Sequence, residues 1–172
     1  MYLVKKIKEL NVLSKELKSY KQKGKTIGLI TGAFDVIHAG HKTMMREAKE
    51  SVDVLVVGLE SDKTISTTKG DNRPINNISQ RLENISSISH VDFVFPIGQE
   101  YKYEKQGDLA EIKKIQKQIF MKIKPDYLVI PSSGDYPSVE KKKDVEKWGA
   151  KPLEVSYTPG ISSTKIIDEL GL

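Results

Sequence analysis

Two of the chain's three histidines stand three positions apart in the segment TGAFDVIHAGH, residues 31–41. The segment lies between a short apolar run and a helical pattern, which predicts a strand-to-helix loop with His38, Gly40 and His41 at the start of the helix. Backbone N–H groups and the helix dipole favour anions there, and imidazole donors beside them would stabilise phosphate oxygens in a transition state. Gly32 permits close approach between the backbone and a ligand. Structural capping is the alternative for the histidines, and zinc is disfavoured because the chain has no cysteine.

Three cations follow the second apolar run of the chain. Lys69, Arg73 and Arg81 stand in the segment KGDNRPINNISQR, residues 69–81. A glycine-flanked lysine and nearby arginines would suit a mobile clamp for a triphosphate. From composition alone, a solvated loop followed by a helix is an equal alternative.

Hydroxyl side chains cluster near the end of the chain, in the segment GISSTKI, residues 160–166. Ser162 is a credible N-cap for a helix whose apolar face continues through Ile166 and Ile167. Hydroxyls of Ser162 and its two neighbours would hold phosphate at the helix N-terminus, with simple capping as the alternative.

Short runs rich in Val and Ile alternate with helical patterns along the chain. The runs at residues 26–31, 52–59, 91–95, 127–130 and 153–155 predict buried strands. Helices are expected at about 40–50, 78–89, 108–123, 138–148 and 162–170. This order predicts an α/β domain: a three-layer, Rossmann-like parallel sheet of five strands with helices on both faces. Ligands bind such sheets at the carboxyl ends of the strands, where the loops discussed above lie.

The charge of the chain is unevenly placed. The 172 residues carry a net charge of +5, of which the first 25 contribute +6 and the remainder −1. Apolar residues recur in the first segment as Leu3, Ile7, Leu10, Leu13, Leu17 and Tyr20, so residues 1–24 are expected to form an amphipathic helix on a domain of residues 25–172. A basic helix on RNA or a membrane surface is the alternative.

Composition bounds the remaining classes of protein. Without cysteine, the chain has no disulfides and no thiolate chemistry. The chain has no run of about 18 apolar residues, so no membrane span is predicted. The N-terminus lacks the features of a secretory signal. We therefore expect a cytoplasmic protein. Because the excess positive charge is confined to the first segment, we do not expect it to bind nucleic acid.

The loop after the first strand resembles the signature G-x-F-D-x-x-H-x-G-H of the cytidylyltransferase-like nucleotidyltransferases. All six fixed positions match, as Gly32, Phe34, Asp35, His38, Gly40 and His41. The resemblance implies transfer of a nucleotidyl group from an NTP to a phosphorylated acceptor, with release of pyrophosphate. The two motif histidines would stabilise the phosphates in the transition state.

Two other segments extend the resemblance. The string K-G-x-x-R-P-x-N followed by Q-R is similar to the adenylyltransferase domain of bacterial ADP-heptose synthesis enzymes, as are VDFV at 91–94 and GDY at 134–136. GISSTKI resembles the second signature of glycerol-3-phosphate cytidylyltransferases, R-T-E-G-I-S-T-T-K-I, except that Tyr157 stands where that family has Arg. Residues 98–107 and 131–133 depart from the heptose-type pattern at strand ends, where the acceptor should sit.

The resemblance implies three groups of site residues. The catalytic group is His38, His41 and Lys69. Asp35 and Arg73 are expected to bind the acceptor, with capping of the loop as an alternative for Asp35, and no residue is expected to ligate a metal directly. The nucleotide would be bound by Thr31, Gly32, Ala33, Phe34, Gly40, Arg81, Gly134, Asp135, Ile161, Ser162, Ser163 and Thr164.

The resemblance also sets out the candidate reactions. The first is transfer from ATP to a sugar 1-phosphate of the heptose type, with Mg²⁺ bound to the triphosphate and a homodimeric enzyme. The second is a CTP-dependent glycerol-3-phosphate or other polyol-phosphate cytidylyltransferase, and the third an FMN adenylyltransferase. A nucleotide-binding regulator without catalytic activity is the alternative from another class.

Overall fold

A computed structural model describes residues 5–98, 109–132 and 138–171 of the chain. The five strands are β1 (Ile27–Gly32), β2 (Val54–Leu59), β3 (Phe93–Pro96), β4 (Tyr127–Pro131) and β5 (Lys151–Val155). The helices are α1 (Leu10–Gln22), α2 (Ala39–Ser51), α3 (Asp62–Lys69), α4 (Ile78–Ser86), α5 (Leu109–Ile123), α6 (Ser138–Lys147) and α7 (Ser163–Leu170).

The strands form one parallel sheet in the order β3-β2-β1-β4-β5. From β1 the chain builds outward through β2 and β3, then crosses to the other side of β1 for β4 and β5. Strand order therefore reverses between β1 and β4, and the loops that leave those two strands diverge there. In doubly wound sheets this divergence opens the crevice that binds ligands.

Apolar side chains of the strands alternate between two cores. Leu29 and Val56 face a core that also contains Leu13 of α1 and Ile119 of α5. Ile30 and Val57 face the opposite core, with Met45 of α2 and Ile85 of α4. Because both faces of the sheet are buried, its strands are apolar almost throughout. This confirms the predicted three-layer α/β fold.

Helix α1 is shorter than the sequence pattern predicts. It begins at Leu10 and buries Leu10, Leu13 and Leu17 against the sheet. Ile7, expected in the helical stripe, instead forms a parallel bridge to Val94 of the edge strand β3. The backbone N–H of Lys8 donates to the carbonyl of Val94 at 3.0 Å, and the carbonyl of Lys6 accepts from the N–H of Val94 at 2.9 Å. The unpaired edge of β3 competes with the helix for this segment, a non-local preference that periodicity does not reveal.

The two edges of the sheet differ in what limits further strand pairing. Residues 6–8 pair with β3 at one edge. At the other edge, β5 consists of Lys151, Pro152, Leu153, Glu154 and Val155, so one of its positions has no backbone N–H.

Helix α3 is not among the expected helices, because the pattern after the second apolar run indicates a loop. Ser61 caps this helix by accepting from the N–H of Thr64 at 3.1 Å. Ile65 is the only buried residue of α3, so the helix carries no apolar periodicity. Gly70, with a φ of 101°, ends it and leaves Lys69 as its last residue.

Within the described ranges, no helix is long and apolar enough to cross a membrane. The proposed division of the chain at residue 24 stays a prediction, although the apolar residues of α1 belong to the same core as Leu29 and Val56 of the sheet.

Candidate active site

A pocket of about 290 Å³ opens at the carboxyl ends of β1 and β4, where the strand order reverses. The loops after β1 and β5 and the first turns of α2 and α7 form its walls, and Lys69 reaches it from the end of α3. The expected site residues that line it are Thr31, Gly32, Ala33, Phe34, His38, Gly40, His41, Lys69, Ile161, Ser162, Ser163 and Thr164. These expected residues come from three separate segments of the sequence, which thus meet in one pocket.

The two histidines lie at the N-terminus of α2 with their rings stacked. The ring centroids are 3.7 Å apart and the planes differ by 25°. His38 is the N-cap residue, yet its side chain makes no capping hydrogen bond. The Nδ1 atoms of both rings are buried without a hydrogen-bond partner among the described residues. The rings are therefore not used for capping, which favours a role toward a ligand.

Burial favours the neutral form of both histidines in the free protein. It lowers the pKa of His38 from its ordinary value. It also lowers the pKa of His41, to about 3, and the positive charges of Lys69 and of His38 in its protonated form add to this effect. A neutral imidazole still has one N–H donor, so each ring can bind an anionic oxygen without first carrying a charge. A bound anion would oppose the shift by stabilising the protonated form.

Close packing fixes the position of the rings. A Cβ atom at Gly40 would lie 3.1 Å from Nδ1 of His38 and 3.3 Å from Cβ of Thr158, so a side chain there would displace the ring. Phe34 packs edge-on against His41 with centroids 5.0 Å apart. Its φ of 49° is rare for a residue other than glycine, and such strain is often found at functional sites. A Cβ at Gly32 would lie 3.0 Å from the Phe34 ring.

The start of α7 forms the opposite wall of the pocket. The Ser162 hydroxyl accepts from the N–H of Lys165 at 3.1 Å and caps the helix. The Ser163 hydroxyl donates to the carbonyl of Val36 at 2.8 Å, which joins the start of α7 to the loop before α2. Thr164 leaves its hydroxyl without a partner among the described residues. Two helix N-termini thus face one pocket, and each favours an anion there.

Lys69 supplies the formal positive charge of the described part of the pocket. It is exposed, and its ammonium group has no carboxylate partner among the described residues. No Asp or Glu is among the described lining residues. The described residues also contain no group of three His, Asp or Glu side chains that could hold a metal ion.

Arg81 departs from its expected role as a phosphate ligand. Its side chain is fully buried, and its guanidinium donates to the carbonyls of Ala33 and Asn76 at 2.7 and 3.0 Å and to the Asp62 carboxylate at 2.6 Å. All three guanidinium nitrogens are occupied by these groups. Arg81 therefore holds the loop after β1 against the segment before α4, and it does not line the pocket.

Asp35 and Arg73 likewise lie in the interior and do not line the pocket. Arg73 Nε donates to Asp35 Oδ2 at 2.8 Å, and the two side chains are 8% and 0% exposed. Asp35 also accepts from the N–H groups of Ile75 and Asn76 at 3.0 and 2.8 Å. Burial alone would raise the pKa of Asp35, but these hydrogen bonds and the Arg73 charge outweigh it and lower the pKa. The pair thus organises the loop, which was the alternative for Asp35.

Two expected site residues lie outside the described ranges, and the pocket lining includes residues that were not expected. Gly134 and Asp135 lie outside the described residues, as does most of the departure at 98–107. The lining residues that sequence reasoning did not name as ligands are Ile30, Met44, Val129, Pro131, Ser156, Tyr157 and Thr158. Most of these stand at or beside the ends of β1, β4 and β5, so a search of the residues around every strand end would have found them.

Replacing Arg81 with Ala is expected to lower the free energy of unfolding by about 3 kcal/mol or more, because two buried carbonyls lose their donor. Urea denaturation measures this change. Arg46→Ala, on the exposed side of α2, is the matched control and should stay within about 0.5 kcal/mol of the parent protein. Equal stability of the two variants would contradict the structural role of Arg81.

The ring protons of His41 should keep the shifts of a neutral imidazole from pH 8 down to pH 5 in an NMR titration of the free protein. The reason is that its pKa is lowered from the ordinary 6.5 to about 3. Below pH 5 the neutral form is lost progressively as the pH approaches 3. His41→Gln assigns the signal, and a midpoint near 6.5 would contradict the burial described above.

Comparison with known proteins matches the site to a family. The family model "Cytidylyltransferase-like" covers residues 29–169. The chain is 33% identical over 165 residues to the bifunctional protein HldE of Sulfurimonas denitrificans, covering 95% of this chain and 31% of that protein. It is also 33% identical over 168 residues to HldE of Nitratiruptor sp., covering 97% of this chain and 32% of the relative. The chain thus spans about a third of the length of these relatives.

Solved structures agree with the fold. The lipopolysaccharide core biosynthesis protein from Thermoplasma volcanium is 25% identical with a TM-score of 0.55, over 78% of this chain and 98% of that one. Pantothenate synthetase from Thermus thermophilus has a TM-score of 0.65 at 13% identity, over 94% of this chain and 67% of that one, which shows the fold alone. With the family model matching residues 29–169 across the whole pocket, the chain belongs to the cytidylyltransferase-like family of nucleotidyltransferase enzymes.

Proposed function

We propose that the protein transfers an adenylyl group from ATP to a sugar 1-phosphate of the heptose type and releases pyrophosphate. The observation that carries the proposal is the meeting of the stacked His38–His41 pair, two helix N-termini and Lys69 in one pocket. The preference for ATP and a sugar phosphate is supported by the match of residues 69–81 to the adenylyltransferase domain of ADP-heptose synthesis enzymes. Similarity to HldE over nearly the whole chain supports it further.

The reaction needs positioning and charge stabilisation, and no covalent intermediate with the enzyme. An oxygen of the acceptor phosphate attacks the α-phosphorus of ATP and forms the new P–O bond. The bond between the α-phosphorus and the oxygen that bridges to the β-phosphate breaks, and that oxygen leaves with pyrophosphate. His38 and His41 would donate N–H groups to the α-phosphate and the bridging oxygen, where negative charge develops.

The leaving group would be held by the remaining polar groups of the pocket. Lys69 approaches from the end of α3, and the hydroxyl of Thr164 is available at the start of α7. Ser162 and Ser163 already make one hydrogen bond each, so they would add the remaining capacity of their hydroxyls. Bound Mg²⁺ would neutralise part of the triphosphate charge, which a single lysine cannot balance.

A CTP-dependent transfer to a polyol phosphate is the second candidate. It is favoured by the segment GISSTKI at the start of α7, which matches the second signature of glycerol-3-phosphate cytidylyltransferases. Tyr157, in place of the Arg of that signature, argues against it. Homodimeric assembly stays a prediction from the resemblance.

A screen of ATP, CTP, GTP and UTP against sugar and polyol phosphates tests the proposal. The release of pyrophosphate in the presence of Mg²⁺ is measured for each pair. We expect ATP with a sugar 1-phosphate to give the highest rate. His41→Ala should lower that rate about 10²- to 10³-fold, because a donor to the transition state is lost. His90→Ala is the control, since His90 lies outside the pocket.

The outcomes of the screen separate the candidates. Preference for CTP with a polyol phosphate would replace the first candidate by the second. Nucleotide binding without turnover of any pair would favour the regulator. A near-normal rate for the folded His41→Ala variant would contradict the role of the histidine pair.

Lys69→Ala is expected to raise KM for the NTP and lower kcat, because the pocket loses its lysine, while the melting temperature stays unchanged. Steady-state kinetics and a thermal melt measure both effects. Lys63→Ala is the matched control, since Lys63 is an exposed lysine of the same helix and does not line the pocket. Equal kinetics of the two variants would remove Lys69 from the site.

A further inference from the structure

Tyr157 presents an unpacked aromatic ring at the pocket. Five large apolar or aromatic residues of the described chain are strongly exposed: Val12, Ile75, Met121, Tyr157 and Leu170. Of these, Tyr157 lines the pocket, with 47% of its surface exposed. Its ring makes no aromatic contact and its hydroxyl no hydrogen bond with the described residues. A surface of this kind gains most from being covered by a ligand.

The segment that carries Tyr157 is held on both sides. The N–H of Ser156 donates to the Glu47 carboxylate of α2 at 2.7 Å. Further along, Lys165 donates to the carbonyl of Gly160 at 3.1 Å, and Ser163 donates to the carbonyl of Val36. The exposed position of the ring therefore follows from an anchored backbone.

The lining of the pocket is not polar throughout. Val129 and Pro131 of β4 and Ile161 before α7 line the pocket together with Tyr157. The N–H of Ser132 donates to the carbonyl of Val155 at 2.9 Å, which brings the end of β4 beside the segment leading to Tyr157. The pocket thus combines apolar and aromatic side chains with the polar groups supplied by His38, His41 and Lys69.

A nucleoside triphosphate likewise combines an anionic and an aromatic part. The phosphates match the helix N-termini, the imidazoles and Lys69. Tyr157 carries no charge that would attract an anion. Its ring, however, offers a face on which a planar base can stack. We infer that Tyr157 stacks on the nucleobase of the bound NTP and supplies affinity for the nucleoside rather than for the phosphates.

The inference rests on the proposed function, since it assumes that the pocket binds an NTP. Isothermal titration with ATP and with inorganic tripolyphosphate, both with Mg²⁺, separates the two ends of the ligand. Tyr157→Leu should weaken ATP binding about 5- to 100-fold, the effect of losing one base–aromatic stack, and should leave tripolyphosphate binding within about twofold. Tyr157→Phe should bind ATP like the parent protein, because the ring is retained.

Met121→Ala is the matched control, since Met121 is 54% exposed and lies outside the pocket. Unchanged ATP binding by Tyr157→Leu, or equal losses for ATP and tripolyphosphate, would overturn the inference and leave the proposed function standing. A Tyr157→Leu variant in which only KM for the acceptor rises would also overturn the inference, since the ring would then contact the acceptor. A parent protein that binds none of the four NTPs would contradict the proposed function as well.

Discussion

The site depends on the hydrogen bonds that satisfy one buried carboxylate, that of Asp35. It comes three residues before His38, in the loop that carries the signature, and its oxygens accept from Arg73, Ile75 and Asn76. A charge buried without such donors would cost several kcal/mol. The segment between α3 and α4 must therefore wrap around this carboxylate. Because Lys69 ends α3 directly before that segment, the same contacts restrict where its ammonium group can lie.

The electrostatics of the pocket suit an anionic ligand. The described lining residues hold a lysine and two imidazoles whose neutral form burial favours, without a carboxylate. Oriented N–H groups of α2 and α7 provide further partial positive charge without any ionised side chain. Such a site attracts phosphate oxygens through oriented donors and one ammonium group.

The sequence predicts the sheet and much of the pocket lining. It does not predict helix α3 or the buried position of Arg81. Apolar runs mark each strand to within a few residues, because a parallel sheet buried on both faces leaves no ambiguity of face. Helix α3 escapes because Ile65 alone is buried. Arg81 was expected to bind phosphate because the resemblance to the heptose-type adenylyltransferases implies this role for the arginine of that helix. The carbonyls of Ala33 and Asn76 that bury it become neighbours only in the folded chain.

The pairing of residues 6–8 with β3 has a consequence for how copies of the protein can meet. An open strand edge is a template on which another chain can add a strand. Here one edge is covered by the protein's own N-terminal segment, and the other, β5, contains Pro152 and the charged residues Lys151 and Glu154. Extension of the sheet from molecule to molecule is disfavoured at both ends. Contacts between copies at these two edges would therefore depend on side-chain complementarity rather than on backbone pairing.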